Sequence, residues 1–179
     1  MTYLKPLVSV FFFALLVVFN AGCNKKEDAS TAQDKLVTQQ ESRSSTGMEQ
    51  LEVYKSPTCG CCSGWVDHMS AAGFSVNSHD LDNLVPVKQS HGIGRETQSC
   101  HTAVSKEGFV FEGHVPAKFV KRFLAEKPEN ARGLAVPAMP VGTPGMEMGD
   151  RFMPYQVLLL KTDGSTEVYA QVSRADEQH

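Results

Sequence analysis

The sequence predicts an α/β domain, a mixed sheet with flanking helices, across residues 48–175 of a 179-residue chain. Three observations carry that expectation. A short alternating segment runs into a turn and then into apolar positions at helical spacing, a clear amphipathic helix occupies the middle, and an Asp-Gly hairpin signal closes the chain. About 130 residues is one domain's worth of chain, enough for a single hydrophobic core.

Residues 1–22 read as an export signal, with Lys5 as the positive charge and an almost wholly apolar run from Leu7 to Phe19 behind it. That run falls short of a comfortable bilayer span. Asn20-Ala21-Gly22-Cys23 resembles the lipobox of bacterial lipoproteins, although Asn20 stands where an apolar residue is usual. Cys23 is therefore expected to be a lipid anchor to the membrane; plain cleavage near Ala21-Gly22 is the alternative. Residues 23–47 carry Lys, Glu, Asp, Ser, Thr and Gln with few apolar side chains, too little buried surface to offset chain entropy, so they read as a disordered tether. The formal net charge of -3 and the lack of a basic stripe argue against a nucleic-acid partner.

In the domain itself, Leu51 to Tyr54 alternates and stops at Lys55-Ser56-Pro57, a strand entering a turn. Trp65, Val66, Met69 and Ala72 recur at helical spacing from Cys62 onward, and Gly73 stands where a helix C-cap belongs. Phe74 to Leu81 reads as a second strand and Leu84 to His91 as a short helix or turn. Ala103-Val104 and Phe109 to Phe111 form a hairpin about Lys106-Glu107-Gly108. Val115 to Glu126 is the clearest helix, apolar at Phe119, Val120, Phe123 and Leu124 and basic at Lys118, Lys121 and Arg122. Gly133 to Pro154 is rich in Pro, Gly and Met, too proline-dense for a helix or a central strand, and so reads as a long loop, functional or disordered. Tyr155 to Lys161 and Thr166 to Val172 are the final hairpin.

With Cys23 set aside, the domain holds Cys59, Cys61, Cys62 and Cys100. Cys59 and Cys62 alone are a C-x-x-C at a helix start, where free N–H groups and the helix dipole favour thiolate, a redox arrangement. Cys61 adds a third sulfur to the same small volume, enough to bridge soft ions as well as ligate one. Structural zinc expects two separated pairs or a Cys/His set, which this spacing lacks, while structural disulfides remain open in an oxidising compartment; adjacent Cys61 and Cys62 are poor partners, so a disulfide network is expected to need Cys100 to reach back to the turn. His101 and His114 could add imidazole, and Met139, Met146, Met148 and Met153 could offer thioether sulfur; surface and packing roles are the plain alternatives. His68, His79, His91 and His179 read as ordinary surface residues, and Trp65 as core.

Strand, cysteine turn and helix, followed later by Met153-Pro154 feeding an apolar hairpin, resemble the thioredoxin-like fold, which implies a cis-proline facing the cysteines, Pro154 first and Pro137 second. The strings Ser56-Pro57-Thr58-Cys59-Gly60-Cys61-Cys62, Ser99-Cys100-His101-Thr102-Ala103, Glu112-Gly113-His114-Val115-Pro116-Ala117, Gly133-Leu134-Ala135-Val136-Pro137-Ala138-Met139-Pro140 and Pro144-Gly145-Met146-Glu147 together resemble the CopG family of periplasmic copper-resistance proteins. The resemblance implies copper held by Cys59, Cys61, Cys62 and Cys100; the residues themselves add His101, His114, Met139 and Met146 as expected neighbours. It further implies copper detoxification in the periplasm, with Cu(I)/Cu(II) redox cycling and a copper-handling or redox protein as partner. A thiol-disulfide oxidoreductase using Cys59 and Cys62 is the second reading, and a pure copper chaperone or sink, with the same ligands but no electron transfer, is the third.

The anchor is tested by Cys23→Ala, which is expected to move the protein from the membrane fraction to the soluble periplasm with its metal content unchanged. Fractionation like that of the wild type counts against lipidation.

Overall fold

A computed structural model describes residues 48–179; the expected export signal, the expected anchor Cys23 and the expected tether lie outside the described residues. Its centre is a seven-stranded mixed sheet, which bears out the expected α/β class.

β1 (Gln50–Lys55) buries Leu51, Val53 and Lys55 on one side, the period-2 pattern of a half-covered strand. α1 (Gly60–Ala71) buries Cys62, Trp65 and Met69, spaced so that they share a face. It starts two residues earlier than Cys62, with Cys59 as N-cap. It ends where Gly73 turns left-handed at φ 92°, which lets Phe74 N–H return to the Met69 carbonyl at 3.1 Å. β2 (Ser75–Asp80) then lies parallel to β1, so β1-α1-β2 is a crossover unit.

α2 (Val85–Ser90) leads through a 3-10 turn at Arg95–Thr97 to β3 (Thr102–Ser105) and β4 (Val110–Glu112), the expected antiparallel hairpin. α3 (Ala117–Glu126) follows, its apolar face fully used: Phe119, Val120, Phe123 and Leu124 are buried. β5 (Ala131–Ala135) pairs parallel with β4, and β6 (Tyr155–Lys161) and β7 (Thr166–Val172) close the sheet as a hairpin. The strand order is β2-β1-β3-β4-β5-β6-β7.

Trp65, Met69, Phe119, Val120 and Phe123 pack with Leu51, Val53, Phe111, Leu134 and Val157 into one core between the helices α1 and α3 and one sheet face. Each such side chain contributes roughly 1.5–3 kcal/mol on burial. The opposite face carries a smaller cluster of Ile93, Val110, Ala135 and Leu160.

β5 corrects the expectation that residues 133–154 hold no central strand. The prolines begin only at Pro137, and Ala131 to Ala135 sit between β4 and β6, with a bulge in the β6 pairing between Ala131 and Gly133. Gly133 hides the strand from a propensity reading but makes it possible. Its φ is 152°, and a Cβ there would lie 1.7 Å from the Val110 carbonyl oxygen. Among the described residues every peptide bond is trans, so neither Pro154 nor Pro137 is the implied cis-proline.

Gly133→Ala is expected to cost at least about 3 kcal/mol of unfolding free energy, since the β4–β5 backbones would have to separate. Urea unfolding measures it; a change below about 1 kcal/mol would show that the two strands are not held this close.

Candidate metal and redox centre

The sheet register decides which loops meet. β1 runs antiparallel to β3 with Tyr54 opposite Thr102, so the end of β1, which feeds the cysteine turn, lies beside the start of β3, which follows Cys100 and His101. β3 in turn sets Thr102 opposite Glu112, which brings Gly113-His114 to the same end, and the parallel β4–β5 pair adds the segment beyond Ala135. Four loops distant in sequence thus emerge at one end of the sheet.

Sulfur chemistry gathers there. One ligand atom each from Cys59, Cys61, Cys62 and Cys100 lies within 4.8 Å of the other three. Cys59 and Cys62 are joined by a disulfide across the first turn of α1, while Cys61 and Cys100 are free thiols. Cys59 Sγ and Cys61 Sγ stand 3.5 Å apart, and Cys62 Sγ lies 4.0 Å from the Cys100 carbonyl oxygen. The bridge forms within the turn, so no disulfide needs Cys100 to reach back. The first turn of α1 carries no acidic side chain, and no side chain caps it.

Two imidazoles extend the cluster. Cys100 Sγ is 3.3 Å from His101 Nδ1 and 3.1 Å from His114 Nε2, and the three residues form a second set of close ligand atoms. His114 Nδ1 lies 2.7 Å from the Pro144 carbonyl, which can only accept, so Nδ1 carries the proton and Nε2 presents its lone pair to the thiol. A backbone carbonyl that fixes a ring in this way is the usual support behind a metal-ligating histidine.

His101 is fully buried, its ring centroid 4.5 Å from that of Trp65, and its Nε2 is the one buried side-chain nitrogen or oxygen without a partner among the described residues. Burial pushes both histidines below their ordinary range; the His114 ring adds to the effect on His101, and the Pro144 carbonyl opposes it at His114. Neutral rings are the ligating form. Burial also pushes the Cys100 thiol up to about 11, with the neighbouring Cys61 adding to it.

Two further contacts build the walls. Gly145 packs on the start of α1 so closely that a Cβ would meet Trp65 N at 2.5 Å and the Cys61 carbonyl oxygen at 2.6 Å. Trp65 Nε1–H donates to the Val115 carbonyl at 2.9 Å, tying α1 to the segment after His114. Met146 follows Gly145 and is half-buried, while Met139, beside the Ala138 backbone that bonds Gln98, is 51% exposed.

Sequence reasoning missed Lys88 and Glu112, a buried ion pair whose carboxylate also accepts from Ser99 N–H at 2.6 Å and Thr102 Oγ1–H at 2.6 Å. An acid inside the apolar Val110-Phe111 run was the available signal. His68 was also misread as a surface residue: its Nε2 accepts from Ala117 N–H at 3.0 Å and so caps α3.

Comparison with known proteins places the chain among relatives. A family described as a protein of unknown function, DUF411, matches residues 97–146. Two solved structures titled copper resistance protein CopG, form 1 and form 2, are 41% and 39% identical. They superpose with TM-scores of 0.65 and 0.66 over 69% and 70% of this chain, and over 96% and 98% of theirs. No curated protein sequence matches.

The raised thiol pKa fixes a sign that can be measured. In the disulfide form, Cys100 stays protonated at neutral pH, so its alkylation by iodoacetamide is expected to rise about tenfold per pH unit from 7 to 10, instead of levelling off above the ordinary thiol pKa of about 8.5. Peptide mapping by mass spectrometry follows it; a plateau below pH 9 would contradict the buried setting.

Proposed function

The chain belongs to the CopG family of copper resistance proteins, and from that premise we propose that it is a periplasmic, lipid-anchored protein that binds copper at the convergence of Cys59, Cys61, Cys62 and Cys100. The single observation that carries this reading is the meeting of four sulfurs within 4.8 Å. Thiolates select soft ions, and in a compartment where copper is to be detoxified copper(I) is the ion that four sulfurs suit. His114, with its lone pair turned to the cluster, and the buried His101 are the next donors; Met139 and Met146 offer thioether sulfur from the loop above. The order β2-β1-β3-β4, with β1-α1-β2 parallel and β3 and β4 antiparallel, supports a thioredoxin-like reading of the first half.

Loading requires chemistry at the ligands. Each thiol must lose its proton and the Cys59–Cys62 bridge must be reduced before all four sulfurs are free to ligate, so copper uptake releases protons and depends on the redox state of the turn. Redox cycling between Cu(I) and Cu(II) belongs to the same proposal, with a periplasmic copper-handling or redox protein as the partner.

A second reading, a thiol-disulfide oxidoreductase, is favoured by one specific observation: the Cys59–Cys62 disulfide lies at the start of α1, the arrangement that exchanges with substrate disulfides. Cys61→Ser separates the two. The copper reading expects a large loss of bound metal in anaerobic titration, whereas an oxidoreductase keeps its C-x-x-C pair and loses little disulfide-reduction activity. Full copper binding with intact reductase activity would favour the second reading over the first.

A further inference from the structure

We propose that Glu112 is a positioning residue of the sulfur site: its buried carboxylate clips the backbone of Ser99 and thereby sets Cys100 against the cysteine turn. Glu112 has no solvent exposure, and its carboxylate bonds Lys88, Ser99 and Thr102 and none of the four sulfurs. Its Oε1 accepts from Ser99 N–H at 2.6 Å and from Lys88 Nζ, and its Oε2 accepts from Thr102 Oγ1–H at 2.6 Å. Lys88, itself buried, also reaches Thr102 Oγ1 at 3.1 Å. The carboxylate therefore grips the chain on both sides of Cys100-His101, at residue 99 and at residue 102.

The backbone needs such a grip because regular pairing stops short of it. Thr102 is the last β3 residue in the ladder with β4, and beyond it Gly113 N–H reaches back to the His101 carbonyl at 3.0 Å. On the far side Ser99 Oγ donates to the Ala138 carbonyl, and Ala138 N–H donates to the Gln98 carbonyl at 3.3 Å. Gly113, at φ 71°, lets the β4 exit pass so close that a Cβ would sit 2.5 Å from Ser99 Oγ. Cys100 is thus carried on a short irregular segment in which the Ser99 N–H is held by one side chain, that of Glu112. Lys88 supplies the charge that a buried carboxylate needs, since an unpaired one is strongly disfavoured.

Geometry and charge make opposite demands on substitutions. In Glu112→Gln the amide oxygen still accepts from Ser99 N–H and Lys88, and the amide nitrogen donates to Thr102 Oγ1, so the grip survives without the charge. In Glu112→Asp the charge survives, but the side chain is one methylene too short to hold Ser99. If Glu112 positions Cys100, Asp is the damaging change and Gln the mild one. If it serves only as the counter-charge of Lys88, the order reverses.

The test uses the full-length protein, reduced and copper-free, with alkylation rates at Cys100 and Cys61 followed by peptide mapping. In Glu112→Asp, Cys100 is expected to react at least about fivefold faster relative to Cys61, while Glu112→Gln stays within twofold of wild type. Both variants are expected to melt cooperatively. Equal ratios in all three proteins, the reverse order, or an Asp variant that no longer folds would overturn the proposal, the last because the carboxylate would then hold the fold instead of the loop. The inference rests on the copper reading only for a second measurement. Copper(I) added anaerobically is expected to reach wild-type stoichiometry in Glu112→Gln and to fall in Glu112→Asp to the level of Cys100→Ser. A changed alkylation ratio with no copper bound even by wild type would leave the clip standing and remove the copper reading; full copper stoichiometry in Glu112→Asp would overturn the clip's role at the site.

Discussion

The antiparallel register of β3 between β1 and β4 is the constraint on which the rest of the site depends. Tyr54 opposite Thr102 and Thr102 opposite Glu112 bring three strand ends together, and each of those ends carries sulfur or imidazole within a few residues. A slip of one residue would turn Ala103 and Phe111 out of the core and carry Thr102 and Glu112 into it. The hydrophobic face that fixes the register therefore also fixes the distance between Cys100 and the turn. Packing and chemistry are linked through strand geometry, with no need for a disulfide between the two.

The two chemistries proposed for this turn both require thiolate. Burial holds the Cys100 thiol in its protonated form, while Cys59 and Cys62 are held in a disulfide at the start of α1. In the proposed copper-bound form a soft cation would replace that proton, and the Pro144 carbonyl keeps the His114 lone pair turned toward the cluster. The disulfide form leaves only Cys61 and Cys100 as free thiols. Oxidation of the turn and loading of metal are on this account competing states of one cluster, which links the redox reading to the copper reading.

Much of this was legible in the residues. Period-2 and helical spacing located β1, α1, α3 and the two hairpins, and the cysteine strings with His101 and His114 marked residues that the structure brings together. What escaped has physical reasons. β5 hides behind Gly133, whose lack of a side chain reads as loop but is required by the approach of Val110. Lys88 and Glu112 lie 24 residues apart, and no periodicity announces a pair whose partners meet across a sheet face. His68 looked like a surface residue because capping α3 is a contact between elements, invisible in local spacing. Met139 stands exposed beside the site, where a sulfur count alone could not place it.

The central claim is that reduced cysteine sulfurs from the turn and from Cys100 together hold copper. The most direct measurement is copper bound per chain, with the X-ray absorption spectrum of the bound metal, for full-length protein loaded anaerobically in the reduced form and in the Cys59–Cys62 disulfide form. The account predicts a sulfur-dominated first shell and a clearly higher copper content in the reduced protein. Equal copper in both forms, or a first shell of nitrogen and oxygen alone, would contradict it.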